Sequence, residues 1–360
     1  MIDLGLLIAD NRDNIARIAR NPRRQFGRGP RVLLGAEILP EREVRENVFR
    51  DRSVRWRRLV AVDAAPYSPV EIRNGMYTGS VLVELYDNQT GSTMTAAEMD
   101  DLNDAADLDN EAQALALVTE WEDETLTLPA AEKNEIYRWQ VITNALVQRR
   151  GSEFREDVPY PNPAGVRTVA GGTWSDPTYD PYLDIQAHAT RMAPLVGRVA
   201  RQITSTRVLN IVLANPNVRL RIGAAVRAAD GTIVATGGGA GIAQLNAYFA
   251  ANNLPPVEVY DLTYDTNTGS QPFLRTDAWV LIGTTGQREN VDLRDGEFEQ
   301  LENTIGYVGI GKVGGHRAPG RQVVVEYQTK HPISLYGEIV QKSGVVLNQP
   351  DALGVITGIN

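Results

Sequence analysis

The chain has 360 residues, 42% of them hydrophobic and 22% charged, and a net charge of −9, which is globular material with room for two or three structural units. The absence of cysteine excludes disulfides, thiolate chemistry and Cys-type zinc sites, and fits a reducing compartment. With no run of about 18 apolar residues, and an N-terminus (MIDLGLLIADNRDN) that turns charged too early for a secretory signal, a soluble protein of cytosolic origin is expected.

The charge is unevenly placed. Residues 1–58 hold 14 Arg, no Lys and 8 acidic residues, a balance of +6, which leaves −15 for the rest. Arg outnumbers Lys by 32 to 4 overall, as a GC-rich genome or a warm habitat would each produce. Residues 1–58 carry little sustained periodicity, and NPRRQFGRGPR (21–31) is rich in breakers, so residues 1–53 read as an extended N-terminal arm. Its Arg17, Arg20, Arg23, Arg24 and Arg28, with Arg55, Arg57 and Arg58 just beyond, are candidate subunit-interface or DNA-facing residues. Neutralising phosphates without sequence preference is one use for them. Pairing with a neighbouring subunit's acidic body is favoured by the −15 on the remaining chain.

Within 54–95, VRWRRLVAVD and SVLVELYD read as two strands of a long hairpin around a loop with two prolines. A two-stranded ribbon is too thin to stand alone in water, so another chain is expected to cover it. The span 96–150 reads as helical. MDDLNDAADLDNEA supplies acids to a first turn, Leu108, Leu115 and Val118 recur at helical spacing, and Pro129 is expected to interrupt and restart the helix. A second helix carries Ile136, Trp139, Ile142 and Leu146 on one stripe and is expected to end on Arg149, Arg150 and Gly151.

Short strands are expected over 152–170, a helix from about 182, a strand at TRVLNIVLA (206–214) and a helix near 217–228. A glycine loop and helix (237–252) follow, then strands at VEVYD (257–261), AWVLIG (278–283), RQVVVEYQT (321–329) and ISLYGEIVQ (333–341), with VVLNQP and GVITGI closing the chain. There is no internal repeat.

Few motifs carry chemistry. TIVATGGGAGIAQLNAYFAANNLPPVEVYD has the outline of a dinucleotide site, with Gly237, Gly238, Gly239 and Gly241 before a helix and Asp261 ending a second strand. However, the third glycine of the fingerprint falls on Ile242 or Gln244, so a flexible loop capping a helix is favoured over a cofactor. An EF-hand reading of DLNDAADLDNEA fails because Ala106 stands where the loop needs glycine. The three histidines, His188, His316 and His331, lie in unrelated contexts, and no nucleophile elbow, Walker A loop or zinc-protease motif is present. No enzyme, catalytic residue, metal or cofactor is therefore expected. In GGTWSDPTYDPYLDIQA (171–187), Asp180 before Pro181 reads as a helix N-cap, Asp184 as a first-turn acid and Asp176-Pro177 as a turn, with Trp174 and Tyr179 packing beneath: a structural joint.

That stretch also resembles the segment after the spine helix in tailed-phage major capsid proteins of the lambda-like protein E family. NIVLANPNVRLRI looks like that family's strand, proline turn and following helix. FLRTDAWVLIGTT and YQTKHPISLYGEIVQKSGVVLNQPDALGVI look like its later β segments. The likeness runs in order over roughly 130–356 and is weak before residue 60. It implies an α+β fold of the Hong Kong 97 phage capsid type: an N-terminal arm (1–53), an extended loop (54–95), a peripheral domain with a spine helix (96–180), an axial domain of mixed sheet and helices (181–320) and a closing β segment (321–360). It further implies an icosahedral virion shell of hexamers and pentamers around double-stranded DNA, assembled in the host cytoplasm, with scaffolding, portal and decoration proteins as partners; no cleavable scaffolding domain is evident before residue 1. Some proteins of this fold cross-link through a Lys on the extended loop, but the first Lys here is Lys133, so non-covalent stabilisation is expected. An encapsulin-like compartment, or an oxidoreductase using the Gly237–Gly241 loop, are the alternatives.

Overall fold

The computed structural model describes residues 4, 6–7, 33–56, 76–150, 155–227, 231–235, 241–266, 269–283, 289–293, 297–301, 305–314, 318–328 and 334–360. Helix α1 (Leu34–Ile38) leads into β1 (Glu41–Glu43), followed by β2 (Val48–Trp56), β3 (Met76–Glu84) and β4 (Tyr86–Thr93). Helices α2 (Ala96–Asp107) and α3 (Glu111–Glu122), a π-helical turn (Asp123–Thr127) and α4 (Leu128–Asn144) come next, then β5 (Leu146–Arg150), β6 (Arg155–Pro159) and β7 (Arg167–Val169). The chain continues through α5 (Pro181–Val196), β8 (Val199–Thr204), α6 (Thr206–Ala214), α7 (Pro216–Arg221), β9 (Ala225–Arg227), β10 (Ile233–Ala235) and α8 (Ile242–Ala251). Beyond it lie β11 (Val257–Val259), β12 (Thr263–Thr266), β13 (Gly269–Pro272), β14 (Trp279–Gly283), β15 (Glu289–Leu293) and β16 (Glu297–Leu301). The last elements are β17 (Gly306–Ile310), β18 (Gln322–Gln328), β19 (Ser334–Leu347), a 3-10 turn (Pro350–Ala352) and β20 (Leu353–Thr357).

The chain divides into two compact units, each assembled from discontinuous segments. The first draws on 1–50, 82–138 and 307–346. Its sheet runs β1-β17-β19-β18, with β4 also paired to β19. Against one face, Met99, Leu102, Val118, Trp121 and Leu126 of the helical segments pack with Leu335 and Ile339 of β19 and with Leu4 and Leu7. The second unit draws on 51–81, 139–306 and 347–360 and holds the mixed sheet β11-β8-β14-β20-β7. Its core gathers Trp174, Ile185, Met192, Val208, Phe249, Trp279 and Ile356. β14 reads as an unbroken apolar run because all five of its residues are buried, as expected of a central strand covered on both faces.

Several elements differ from the sequence reading for identifiable reasons. β2 pairs with β3, but β2 begins at Val48, the rest of the expected first strand and the loop (57–75) lie outside the described residues, and the run SVLVELYD is cut at Leu85. Leu85 is buried and its N–H donates to Asn47 O at 2.9 Å, so β4 leaves in a new direction to pair with β19. The helical series through Leu108 breaks there: Leu108 caps α2 and is 77% exposed, and Asp109 turns left-handed at φ 52° before Asn110 caps α3. Pro129 interrupts nothing. The wider π turn just before it absorbs the residue that lacks an N–H, with Leu128 N–H reaching back to Asp123 O, and α4 continues. The following helix ends at Asn144 rather than on the basic pair. Ala145 takes φ 51°, and Arg149 and Arg150 lie in β5, paired antiparallel with β6.

TRVLNIVLA is a helix, α6, not a strand. β-branched content suggested a strand, but the Ser205 hydroxyl accepts from Val208 N at 3.3 Å as an N-cap, and Val208, Leu209 and Val212 bury one helical face. The strand of this region is the preceding β8. The helix placed at 217–228 is the shorter α7, after which the chain turns into β9.

Candidate functional site

The eight arginines singled out from sequence are for the most part outside the described residues: Arg17, Arg20, Arg23, Arg24, Arg28, Arg57 and Arg58 are not among them, and Arg55 is placed by backbone only, in β2. The strand pair that would carry an extended loop is present as β2–β3.

The joint at 171–187 is built from saturated carboxylates. Asp180 caps α5 by accepting from Tyr182 N at 3.1 Å, with Pro181 at the first helical position, and also accepts from Arg221 Nε at 2.7 Å. Asp184, one turn in, accepts from Gly171 N (3.0 Å), Trp174 Nε1 (2.8 Å) and Tyr179 Oη (2.6 Å). Burial and this bond to a carboxylate push the Tyr179 phenol up to about 12. Asp176 closes a turn by accepting from Thr178 N at 2.8 Å, which lowers its carboxyl. The glycine pair serves close approach: a Cβ on Gly172 would lie 2.5 Å from the Tyr179 ring. From outside the stretch, buried Asn215 donates Nδ2 to Trp174 O (2.9 Å), Tyr179 O (3.0 Å) and Asp176 O (3.1 Å), while its Oδ1 accepts from Asn217 N at 2.9 Å to cap α7. Each of these acids thus holds a fold element. No group of three or more potential metal ligands occurs among the described residues.

The glycine loop lacks the framework of a dinucleotide site. β10, which precedes it, pairs antiparallel with β9 in a separate two-stranded sheet, whereas β11 pairs parallel with β8. A pyrophosphate crossover needs both flanking strands parallel in one sheet. Asp261 is engaged at the start of α6, accepting from Thr206 N at 2.9 Å and from the Thr206 hydroxyl. Gly237, Gly238 and Gly239 lie outside the described residues, and Gly241 precedes α8 as its N-cap.

His188 is a buried packing residue whose Nε2 lies 2.8 Å from Thr168 Oγ1; burial and the nearby Arg191 lower it to about 4. His316 and His331 are outside the described residues. Lys133 sits on α4, its Nζ 5.2 Å from the Tyr137 ring centre, and not on the β2–β3 loop. Sequence reasoning missed the cluster of Glu41, Glu135, Arg138 and Arg321, whose members converge from three distant segments; the spacing of Glu135 and Arg138 on one helix was its one legible trace.

No protein-family model matches the chain, and no curated protein matches it. Solved structures do. A prophage protein of E. coli CFT073, described as a candidate capsid protein, is 12% identical, with 97% of this chain and 99% of that one covered at a TM-score of 0.57. A phage-related protein from Bordetella bronchiseptica RB50 is 15% identical over 96% of both chains, at a TM-score of 0.54. At such identities the likeness is one of fold, and it spans nearly the whole of each chain: this protein has the α+β fold of these two proteins, the capsid type that the sequence resemblance implied.

Proposed function

We propose that this chain is the major capsid protein of a tailed double-stranded DNA bacteriophage. The observation that carries the reading is the full-length shared fold with the E. coli prophage protein. In the proposed shell the arm (1–53) and extended loop (54–95) reach over neighbouring subunits, and 96–180, 181–320 and 321–360 supply the peripheral, axial and closing β parts. The contacts total more than the roughly 2,000 Å² above which obligate interfaces lie, and head-to-tail packing closes rings into hexamers and pentamers. Arg17, Arg20, Arg23, Arg24, Arg28, Arg55, Arg57 and Arg58 serve subunit contacts or face packaged DNA, which is bound without sequence preference. The protein is structural rather than enzymatic, resides in the virion after assembly in the host cytoplasm, and works with scaffolding, portal and decoration proteins. With Lys133 on α4, the shell is held without a loop lysine cross-link.

Expressing the chain alone and imaging it by negative stain, with sedimentation alongside, tests the reading. Closed shells or capsomer rings are expected, and boiling them in detergent should leave one band near 39.5 kDa. A protein that stays monomeric at high concentration overturns the capsid reading, and a covalent ladder overturns the non-covalent one.

A further inference from the structure

Residues 33–43 form a strap on the first unit: α1, buried Leu39, Pro40, then β1 running parallel to β17 with Val308 N donating to Pro40 O at 2.8 Å. Backbone groups of the strap meet α4, Gly35 N donating to Glu135 Oε1 at 2.7 Å and Leu39 O accepting from Arg138 Nε at 2.9 Å. From the strap, the Glu41 carboxylate makes ionic contacts to α4 and to the start of β18. Arg321, at the entrance to β18, donates Nη2 to both of its oxygens at 2.8 Å; Arg138 Nη2 reaches Oε1 at 3.3 Å and Asn134 Nδ2 reaches it at 2.7 Å.

The two guanidinium side chains are almost out of water, 1% exposed at Arg138 and 4% at Arg321, and Arg keeps its charge at any working pH. Two carboxylates balance them. Glu135, fully buried, pairs with Arg138 at 3.2 Å. Arg321 relies on Glu41, its Nε being given to the neutral Gln341 Oε1 at 2.9 Å. A buried cation deprived of its counter-charge is strongly unfavourable, more so than the loss of a surface pair. Glu41 is also reachable, because its side chain is 29% exposed and lines a cavity of about 470 Å³ together with Leu33, Pro40, Arg42, Glu43 and Ile310. Burial alone would raise its carboxyl, but Arg321 and Arg138 outweigh that and hold it below the ordinary range. The other groups of this cluster are Asn134 and Glu135 of α4 and Gln341 of β19, and on β1 itself Arg42 and Glu43 line the same cavity. From β17, Tyr307 sits under Arg42, 5.4 Å from its guanidinium carbon.

We propose that the strap is a charge latch: ionised Glu41 fastens residues 33–43 to α4 and β18, and losing that single charge releases them, letting water reach Arg321 while the rest of the unit stays folded.

Hydrogen exchange read by mass spectrometry on the full chain tests this. Glu41→Gln at pH 7.5 should speed exchange in peptides spanning 33–43 at least tenfold and leave α2 and β19 unchanged. Glu43→Gln, an exposed carboxylate on the same strand, should change nothing. In the wild-type chain, after correction for intrinsic rates, the same local loosening should appear as pH falls below the usual carboxylate range, and this measurement decides the matter if the variant does not fold. Strap protection that survives Glu41→Gln, or survives acid when only the wild type can be studied, overturns the latch, as does loosening that spreads equally to α2 and β19.

Discussion

Glu122 offers the sharpest test of the first unit's packing. It ends α3 beside the π turn, is completely buried, and neither carboxyl oxygen has a hydrogen-bond partner. Burial, helped by the adjacent Asp123, raises its carboxyl to about 8 from the ordinary 4.5. The folded chain therefore keeps a proton that the unfolded chain releases, so stability falls as pH rises from 4.5 to about 8. At about 1.4 kcal/mol per pH unit, the contribution reaches roughly 3 kcal/mol by pH 7. Glu122→Gln keeps the shape without the titration, and Glu122→Met also removes the unpaired polar atoms. Urea unfolding of unassembled protein, followed by tryptophan fluorescence, should find Glu122→Gln near wild-type stability at pH 5 and about 2–3 kcal/mol more stable at pH 7. Glu122→Met should be the more stable of the two at every pH. A stability difference that does not widen between pH 5 and pH 7 would refute the claim that this carboxyl is sequestered and unpaired.

Other positions give equally direct checks. Gly337→Ala in β19 would place a methyl 2.6 Å from the Trp121 ring and 2.7 Å from Leu126 Cδ1, so thermal unfolding should show a loss of about 1–3 kcal/mol; an unchanged melting temperature would mean this contact is looser than described. Asn215→Ala removes the donors to three carbonyls and the cap of α7, for a cost of about 3 kcal/mol, and Asn215→Asp, which keeps the cap but points a carboxylate at those carbonyls, should fare no better. Recovery of wild-type stability in Asn215→Asp would show that the cap alone matters. His188, lowered to about 4, is neutral in the folded chain and protonates more readily when unfolded, so its contribution is complete above the ordinary 6.5 and is lost as pH falls towards 4. Carbon-13 signals of labelled histidine, assigned with His188→Gln, should give a midpoint near 4, and one near 6.5 would place the imidazole in solvent.

What could be read in the sequence was what local chemistry decides. Asp180-Pro181 is a cap because the bond it makes lies two residues away, and the strand β14 announces itself because burial on both faces leaves no room for a polar residue. The errors fall where a distant contact decides. Leu85 breaks a run that propensity would have continued, because Asn47 offers a carbonyl to its N–H and β19 waits for β4; no feature of residues 80–87 encodes either. α6 looks like a strand by composition, yet its cap at Ser205 and its buried face commit it to a helix. Pro129 shows the same competition inside one helix, where a π turn that no residue pattern marks lets the helix continue.

Glu41, Arg138 and Arg321 are the extreme case, since each alone reads as a solvated surface charge. Their meaning arises only when the first unit closes from its three segments and leaves two guanidiniums out of water, with Glu41 shared between them and Glu135 beside Arg138. A chain that folds by interleaving distant segments places such decisive pairs at long range. The single-residue exchange at Glu41 should therefore loosen a segment whose own sequence shows no weakness, while the locally encoded joint at 171–187 stays as it was.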